Sequence, residues 1–165
     1  MDHIATAEAI ASAAHAGQVD KAGMPYVGHV RRVASYVDPS NGDAVVAALL
    51  HDVIEDAGVT AADLADRGVP AVAIEAVELL TRRAEVSPTD YYLRIRDHPI
   101  AREVKLADLA DNTDPGRLAT LSEADRTRLT RKYANAYEAL GVDFDDGTQR
   151  RTRALREKSF DDAGL

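Results

Sequence analysis

The sequence contains no cysteine, and this absence excludes disulfide bonds and every thiolate metal site. Any metal ion bound by the protein must therefore be held by histidine nitrogen and by carboxylate or amide oxygen. Aromatic residues are also scarce, at 5% of the chain, and alanine, leucine and valine dominate the apolar content. This composition favours closely packed helices over a sandwich of short strands.

Long hydrophobic runs are missing as well. No window holds the roughly 18 consecutive apolar residues that a membrane span needs, and no basic segment followed by an apolar core opens the chain. We therefore expect a cytoplasmic protein with no membrane partner. The net charge of −8 repels a nucleic-acid backbone, and no basic stripe with interleaved aromatic residues is present, so nucleic acid is not an expected partner.

The length of 165 residues and the hydrophobic content of 45% suit one compact domain and leave little room for two. We therefore predict a single domain over residues 1–165, built as an all-α multi-helix bundle. Apolar spacing together with helix start and stop residues, among them a capping box at Thr60–Asp63 and a Ser87 cap before Pro88, predicts these helical segments: 2–16, 30–37, 44–50, 60–68, 70–80, 88–97, 99–112, 122–140 and, in the tail, 148–160. The sequence Asp114-Pro115-Gly116 is predicted to end the 99–112 helix.

A polar run follows the most apolar of these segments. If the 44–50 helix continues, His51, Asp52 and Glu55 project from one side of it, and Asp56 lies one turn from Asp52. The carboxylates would crowd a helix C-terminus, where the macrodipole disfavours negative charge. A divalent metal would compensate for this charge, with His51 and Asp52 as ligands and with Glu55 and Asp56 available for proton transfer.

Further ligands must come from elsewhere in the chain. His29 opens the second predicted helix, and Asp108 lies near the end of the 99–112 helix. With His51 and Asp52 they would form a set of two histidines and two carboxylates that leaves coordination positions open for water and substrate. On spacing alone, an ordinary polar helix end with a hydrogen-bonded His29 remains open as well. Cations available for a polyanionic substrate are Lys21, Arg82, Arg83, Arg94 and Lys105, whereas the other histidines, His3, His15 and His98, are interpreted as structural.

Three sequence blocks resemble one known family. The string HDVIED at residues 51–56 opens with the adjacent His-Asp pair for which the HD superfamily is named. The stretch HAGQVDKAGMPYVGHV at residues 15–30 resembles HxGQxRKxGxPYxxHP, and VKLADLADN at residues 104–112 resembles VKLADRLHN, both from the hydrolase domain of bifunctional alarmone synthetase/hydrolases. The blocks occur in the family's order. The chain therefore resembles HD-superfamily metal-dependent phosphohydrolases, including the stand-alone small alarmone hydrolases.

The resemblance implies roles for individual residues and a reaction. Glu55 and Asp56 would activate water, and the substrate contacts would be Lys21, Arg82 and Asn112. The implied reaction removes the 3′-pyrophosphate from the guanosine alarmones ppGpp and pppGpp, giving GDP or GTP and pyrophosphate. The family's metal is usually manganese (Mn²⁺), and its ligands here would be His29, His51, Asp52 and Asp108.

The chain also departs from the family's blocks. Asp20 stands where an arginine is common, which exchanges a charge that attracts phosphate for one that repels it, and Arg82 replaces a usual lysine. Leu109 and Asp111 replace the arginine and histidine of the last block. Two alternatives therefore stay open. The protein could be a phosphohydrolase that acts on another nucleotide or dinucleotide phosphate, or it could be an inactive nucleotide sensor.

Overall fold

A computed structural model describes residues 2–20 and 23–162 of the chain. Within these ranges the protein is built from helices, and the only β pairing is an isolated bridge between Val19 and Pro25. The predicted all-α class is confirmed. The helices are α1 His3–Ala14, α2 Tyr26–Tyr36, α3 Gly42–Leu50, α4 Val53–Ala57, α5 Ala61–Asp66, α6 Ala71–Leu80, α7 Pro88–Asp97, α8 Pro99–Asn112, α9 Pro115–Ala119, α10 Glu123–Ala139 and α11 Asp146–Asp162.

Side-chain caps fix the starts of several helices. The Ser87 hydroxyl accepts the backbone N–H of Asp90, and Pro88 occupies the first helical position of α7. Thr60 forms a reciprocal capping box with Asp63 at the start of α5. These starts agree with the sequence signals. Across the described part of the chain, no helix combines the length and the apolar character that crossing a membrane would require.

The centre of the bundle is formed by α3 and α8. Helix α3 packs against α1, α2, α6 and α8, and α8 in turn also contacts α7 and α11. The Val46 and Leu50 side chains of α3 and the Val104 side chain of α8 are almost completely buried. Polar side chains at the ends of these two helices are therefore held by the rigid interior of the protein.

Two local differences separate the structure from the sequence-based helices. The helix expected to continue through the polar run ends at Leu50, and α4 begins only at Val53, so His51 and Asp52 lie in the junction between two helices. In addition, Asp114 and Pro115 end α8 but also start α9. The Asp114 carboxylate caps the Arg117 backbone N–H, and Pro115 takes the first helical position, where its missing N–H is not needed.

Leu50 provides a test of this core, because its side chain has no solvent exposure. Leu50→Ala is expected to lower the free energy of unfolding by about 2–5 kcal/mol, through lost burial and the cavity left behind. Leu155→Ala is the matched control, because Leu155 is 68% exposed, and its effect should stay within about 0.5 kcal/mol. Urea unfolding of both variants measures the difference, and equal effects would contradict this description of the core.

Candidate active site

Four predicted ligands converge at the junction of α2, α3, α4 and α8. The Nε2 atom of His29 lies 3.4 Å from Oδ1 of Asp108 and 3.7 Å from Oδ2 of Asp52. The Nε2 atom of His51 lies 2.9 Å from the same Asp52 oxygen and 3.8 Å from Oδ1 of Asp108. Ligand atoms of His29, His51 and Asp108 all lie within 4.8 Å of one another. This spacing allows one divalent cation to contact several of them.

The ring of His51 presents the correct nitrogen to this point. Its Nδ1 is 2.8 Å from the Ala48 carbonyl oxygen, so Nδ1 carries the hydrogen and donates it. Nε2 of His51 is buried, and because its 2.9 Å contact with Oδ2 of Asp52 lacks the geometry of a hydrogen bond, this nitrogen has no hydrogen-bond partner. A buried nitrogen without a partner is unfavourable, and a metal ion bound at its lone pair would satisfy it. The residues present therefore fit a divalent metal.

The charges around the two imidazole rings also favour the binding of a cation. Burial alone lowers the pKa of His29, but its hydrogen bonds with Asp108 and Asp111 and the charge of Asp52 raise this pKa to about 9. Burial likewise lowers the pKa of His51, and the charges of Asp52 and Asp108 raise it above the usual value. The site thus concentrates negative charge and favours cations, whether protons on the rings or a metal ion between them.

Asp108 is held in place from its own helix. Nζ of the half-buried Lys105 donates to Oδ2 of Asp108 at 2.8 Å, and the amide of Asn112 donates to Oδ1 at 2.7 Å. Although burial opposes ionisation, the Lys105 ammonium holds the pKa of Asp108 well below its usual value. Asp52 is fixed separately, since the Tyr26 hydroxyl donates to its Oδ2 at 2.6 Å. Both carboxylates are therefore oriented and charged.

Two further carboxylates line the same pocket, which has a volume of about 280 Å³. Glu55 accepts the backbone N–H of Arg82 at 2.8 Å through Oε2. At Asp56, partial desolvation together with the nearby charge of Asp52 raises the pKa of the carboxyl group. The environments of the two acids differ, since Glu55 is anchored to a backbone N–H and Asp56 is a carboxyl group with a raised pKa that can accept a proton.

A further wall of the pocket is cationic and aromatic. The Arg82 guanidinium lies 3.9 Å from the centre of the Tyr91 ring, and its Nη2 donates to the Tyr92 hydroxyl at 3.2 Å. Stacking of this kind holds a guanidinium in one orientation while its charge remains available to an anion. Other pocket-lining cations and tyrosines are Lys105, Arg117, Lys132, Tyr26 and Tyr133.

Comparison with known proteins agrees with the sequence blocks, although no protein-family model matches the chain. The guanosine-3′,5′-bis(diphosphate) 3′-pyrophosphohydrolase of Haemophilus influenzae is 34% identical over 138 residues, which cover 78% of this chain and 20% of that protein. The resemblance to HD-type alarmone hydrolases is thereby confirmed. The chain spans about a fifth of the length of this curated relative.

The fold of an alarmone hydrolase is shared along almost the whole chain. A solved structure of a metazoan ortholog of SpoT, which hydrolyzes ppGpp and plays a role in starvation responses, superposes with a TM-score of 0.67. The match covers 96% of both chains at 20% sequence identity. At this identity the likeness establishes the shared all-helical fold.

Asp20, one of the departures from the HD-type blocks, is paired with arginine side chains in the structure. Asp20 is buried, accepts the Met24 backbone N–H at 3.0 Å, and lies 3.2 Å from Nη1 of Arg117 and 4.0 Å from Nη2 of Arg32. Its charge is therefore balanced by two guanidinium groups. The expectation that Asp20 repels phosphate stays a prediction, since Asp20 lines the pocket but is paired with arginine.

Other predicted residues fall in three places. Arg82, Lys105 and Asn112 line the pocket, whereas Arg83 pairs with Glu78 on the surface and Arg94 is not among the lining residues. Lys21 lies outside the described residues. The three histidines interpreted as structural make local contacts, with the Gly68 carbonyl for His3, the Gln18 side chain for His15 and the start of α8 for His98.

Sequence reasoning missed Arg32, Asp111, Arg117 and Lys132. Asp111 was noted only as a departure from the HD-type pattern, yet its carboxylate is 2.7 Å from Nδ1 of His29. Lys132 lies on α10, beyond the last recognisable block. The one signal in the sequence was the spacing of Asp111, which continues the apolar face formed by Ile100, Val104 and Ala107. A charged residue on such a face is buried and requires a partner, and the structure shows Asp111 completely buried.

Proposed function

We propose that this protein is a manganese-dependent hydrolase that removes the 3′-pyrophosphate from the guanosine alarmones ppGpp and pppGpp. One observation carries the proposal. The imidazoles of His29 and His51 and the carboxylates of Asp52 and Asp108 converge in a pocket, with the buried Nε2 of His51 left without a hydrogen-bond partner. The relationship to an alarmone pyrophosphohydrolase supports the choice of substrate. The single domain over residues 1–165 belongs to this proposal, and the cytoplasmic location stays a prediction.

The four ligands would hold a divalent ion, which would lower the pKa of a bound water toward neutrality and polarise a phosphoryl oxygen. The side chains of the pocket perform the remaining work. Asp56, with its raised pKa, accepts a proton from the attacking water. Glu55, anchored by the backbone N–H of Arg82, orients that water. The water oxygen bonds to the phosphorus attached at the ribose 3′ position, the bond from phosphorus to the 3′ oxygen breaks, and the proton passes to that oxygen.

Substrate binding is assigned to the cationic wall and to α8. Arg82 is held by Tyr91 and Tyr92 and offers a fixed positive charge to the phosphates. Asn112 already bonds to Asp108, and the second hydrogen of its amide can contact the nucleotide sugar. Lys21 is proposed as an additional phosphate contact on the strength of the family resemblance. These groups would place the 3′-pyrophosphate over the four metal ligands.

The test is release of pyrophosphate from ppGpp and pppGpp by purified protein with added Mn²⁺. We expect GDP or GTP as the second product, no product after chelation, and no pyrophosphate from GDP, which lacks the 3′ group. Asp52→Asn serves as the inactive control on the same substrates. Intact ppGpp after prolonged incubation with metal-loaded protein would contradict the proposal.

A second candidate is a hydrolase of the same chemistry that acts on another nucleotide or dinucleotide phosphate. The replacement of the family's usual arginine by Asp20 favours this candidate, because the loop before α2 carries no arginine charge at this position. A panel of nucleotide and dinucleotide phosphates with Mn²⁺ separates the two candidates by relative kcat/KM. Tight binding of ppGpp without any product would instead indicate a nucleotide sensor.

Metal removal is expected to destabilise the protein, because the ligand carboxylates then lose their shared cation. A ligand present at 100 times its Kd stabilises by about 2.7 kcal/mol, which corresponds to a change in Tm of about 5–11 °C for a chain of this size. We expect chelator to lower Tm by this order and added Mn²⁺ to restore it. Differential scanning calorimetry measures both, and an identical Tm with Mn²⁺ and with chelator would argue against a well-occupied site.

A further inference from the structure

Asp111 forms the centre of a buried ion network behind the metal ligands. Its Oδ2 accepts Nδ1–H of His29 at 2.7 Å and Nη1–H of Arg117 at 2.6 Å, and its Oδ1 accepts Nε–H of Arg32 at 2.6 Å. Asp20 joins the network through Arg117. Asp111 is completely buried, and it does not belong to the lining of the pocket.

We propose that Asp111 is a positioning residue that fixes the tautomer and the direction of His29 for metal binding. A carboxylate at Nδ1 requires that nitrogen to carry the hydrogen, so the lone pair of His29 is left on Nε2. Nε2 is the atom that faces Asp52 and Asp108. This inference rests on the proposed metal site and adds to it a residue that the sequence blocks did not assign.

The two histidines of the site are oriented by different acceptors. Nδ1 of His51 donates to a neutral backbone carbonyl three residues earlier, at Ala48. Nδ1 of His29, in the first turns of α2, donates instead to a carboxylate from α8. A charged acceptor makes the hydrogen bond stronger and the imidazole a better metal ligand. The orientation of His29 therefore depends on a side chain that α8 supplies.

Arg32 and Arg117 allow a carboxylate to serve in this buried position. An uncompensated buried charge is strongly unfavourable, and the two guanidinium groups balance Asp111 from α2 and α9. Arg32 contacts both of its oxygens, through Nε at 2.6 Å and Nη2 at 3.1 Å. The histidine that the related block carries at this position could not accept these bonds while also accepting from His29. Asp111, which stands where the related block has histidine, and the two arginines that balance its charge therefore depend on one another.

The test compares metal affinity between variants. Asp111→Asn preserves shape but removes the charged acceptor, so we expect Mn²⁺ to bind about 10- to 100-fold more weakly, measured by electron paramagnetic resonance of the free ion. Asp97→Asn is the matched control, since Asp97 is exposed and should leave the Kd unchanged. Arg32→Gln disturbs the same network but keeps the Asp111 carboxylate at His29, so it should lower Tm with less effect on the Kd.

The outcomes separate this inference from the metal site itself. Wild-type protein that binds no Mn²⁺ refutes the site and the inference together, whereas equal affinity of wild type and Asp111→Asn refutes the inference alone. If Arg32→Gln and Asp111→Asn weaken Mn²⁺ binding equally, the network is purely structural, and this result would also refute the inference. If Asp111→Asn does not fold, ¹⁵N NMR of wild type loaded with Zn²⁺ decides. Hydrogen on Nδ1 and metal on Nε2 of His29 are expected, and the reverse tautomer would refute the role of Asp111.

Discussion

Asp52→Asn is expected to lose bound metal and hydrolytic activity together. The Asp52 carboxylate lies 2.9 Å from Nε2 of His51 and 3.7 Å from Nε2 of His29. Replacing it by an amide removes a negatively charged oxygen ligand, which a hard divalent cation requires. The amide can still accept the Tyr26 hydroxyl hydrogen, so the local fold should persist. Manganese content by elemental analysis and pyrophosphate release from ppGpp should both fall to background.

The control for this prediction is Asp66→Asn, which removes one negative charge from the exposed end of α5. It should retain normal metal content and normal turnover. For each variant, metal content and activity should be measured on the same preparation, and helical content should be checked by circular dichroism. An Asp52→Asn protein with full metal and full rate would contradict the assignment of the His51-Asp52 pair as ligands.

Glu55→Gln and Asp56→Asn are expected to separate catalysis from metal binding. Neither carboxylate belongs to the four converging ligands, so metal content should remain near that of wild type. Loss of the group that deprotonates the attacking water, or of the group that orients it, reduces rates by roughly a hundredfold or more, and we expect a fall of this order in kcat for each variant. The side-chain amide introduced by Glu55→Gln can still accept the Arg82 N–H through its oxygen, so a loss of rate would report on the missing charge.

The two acids can then be ranked from the same measurements. The raised pKa of Asp56 agrees with a role as proton acceptor, and the variant with the lower kcat identifies the acid that takes the proton. A Glu55→Gln enzyme with full activity would exclude Glu55 from catalysis. Full activity in Asp56→Asn would move the proton transfer to Glu55, and full activity in both would contradict the proposed mechanism.

The elements that the sequence predicted well share strong local signals. Helices α5 and α7 begin at caps with acidic residues three positions later, and α3 carries a continuous apolar run. The break after Leu50 could not be predicted in this way, since no glycine or proline marks it. It depends on the position that His51 and Asp52 must take between α2 and α8, which is a tertiary effect. The polar run at residues 51–56 therefore predicted where the converging side chains lie, but the prediction of one continuous helix through it was wrong.

The residues that support the metal ligands could not be predicted from local sequence patterns, for a similar reason. Asp111 and Arg32 are 79 positions apart, and Asp111 and His29 are 82 apart. Nothing within either segment indicates that the two meet. The family resemblance located the four converging residues because those recur in known blocks, but it treated Asp111 as a departure. A residue specific to this chain could be interpreted only once its neighbours in space were known.

The division of the site among distant segments also affects when it can form during synthesis of the chain. His29 lies in the first fifth of the sequence, the His51-Asp52 pair in the first third, and Asp108 about two-thirds of the way along. A nascent chain emerging from the ribosome therefore displays two imidazoles and one carboxylate well before the last ligand, together with Lys105 and Asn112, has appeared. The α8 helix thus supplies the last proposed ligand and the centre of the bundle in one event, so the four proposed ligands can meet only after α8 has packed against α2 and α3.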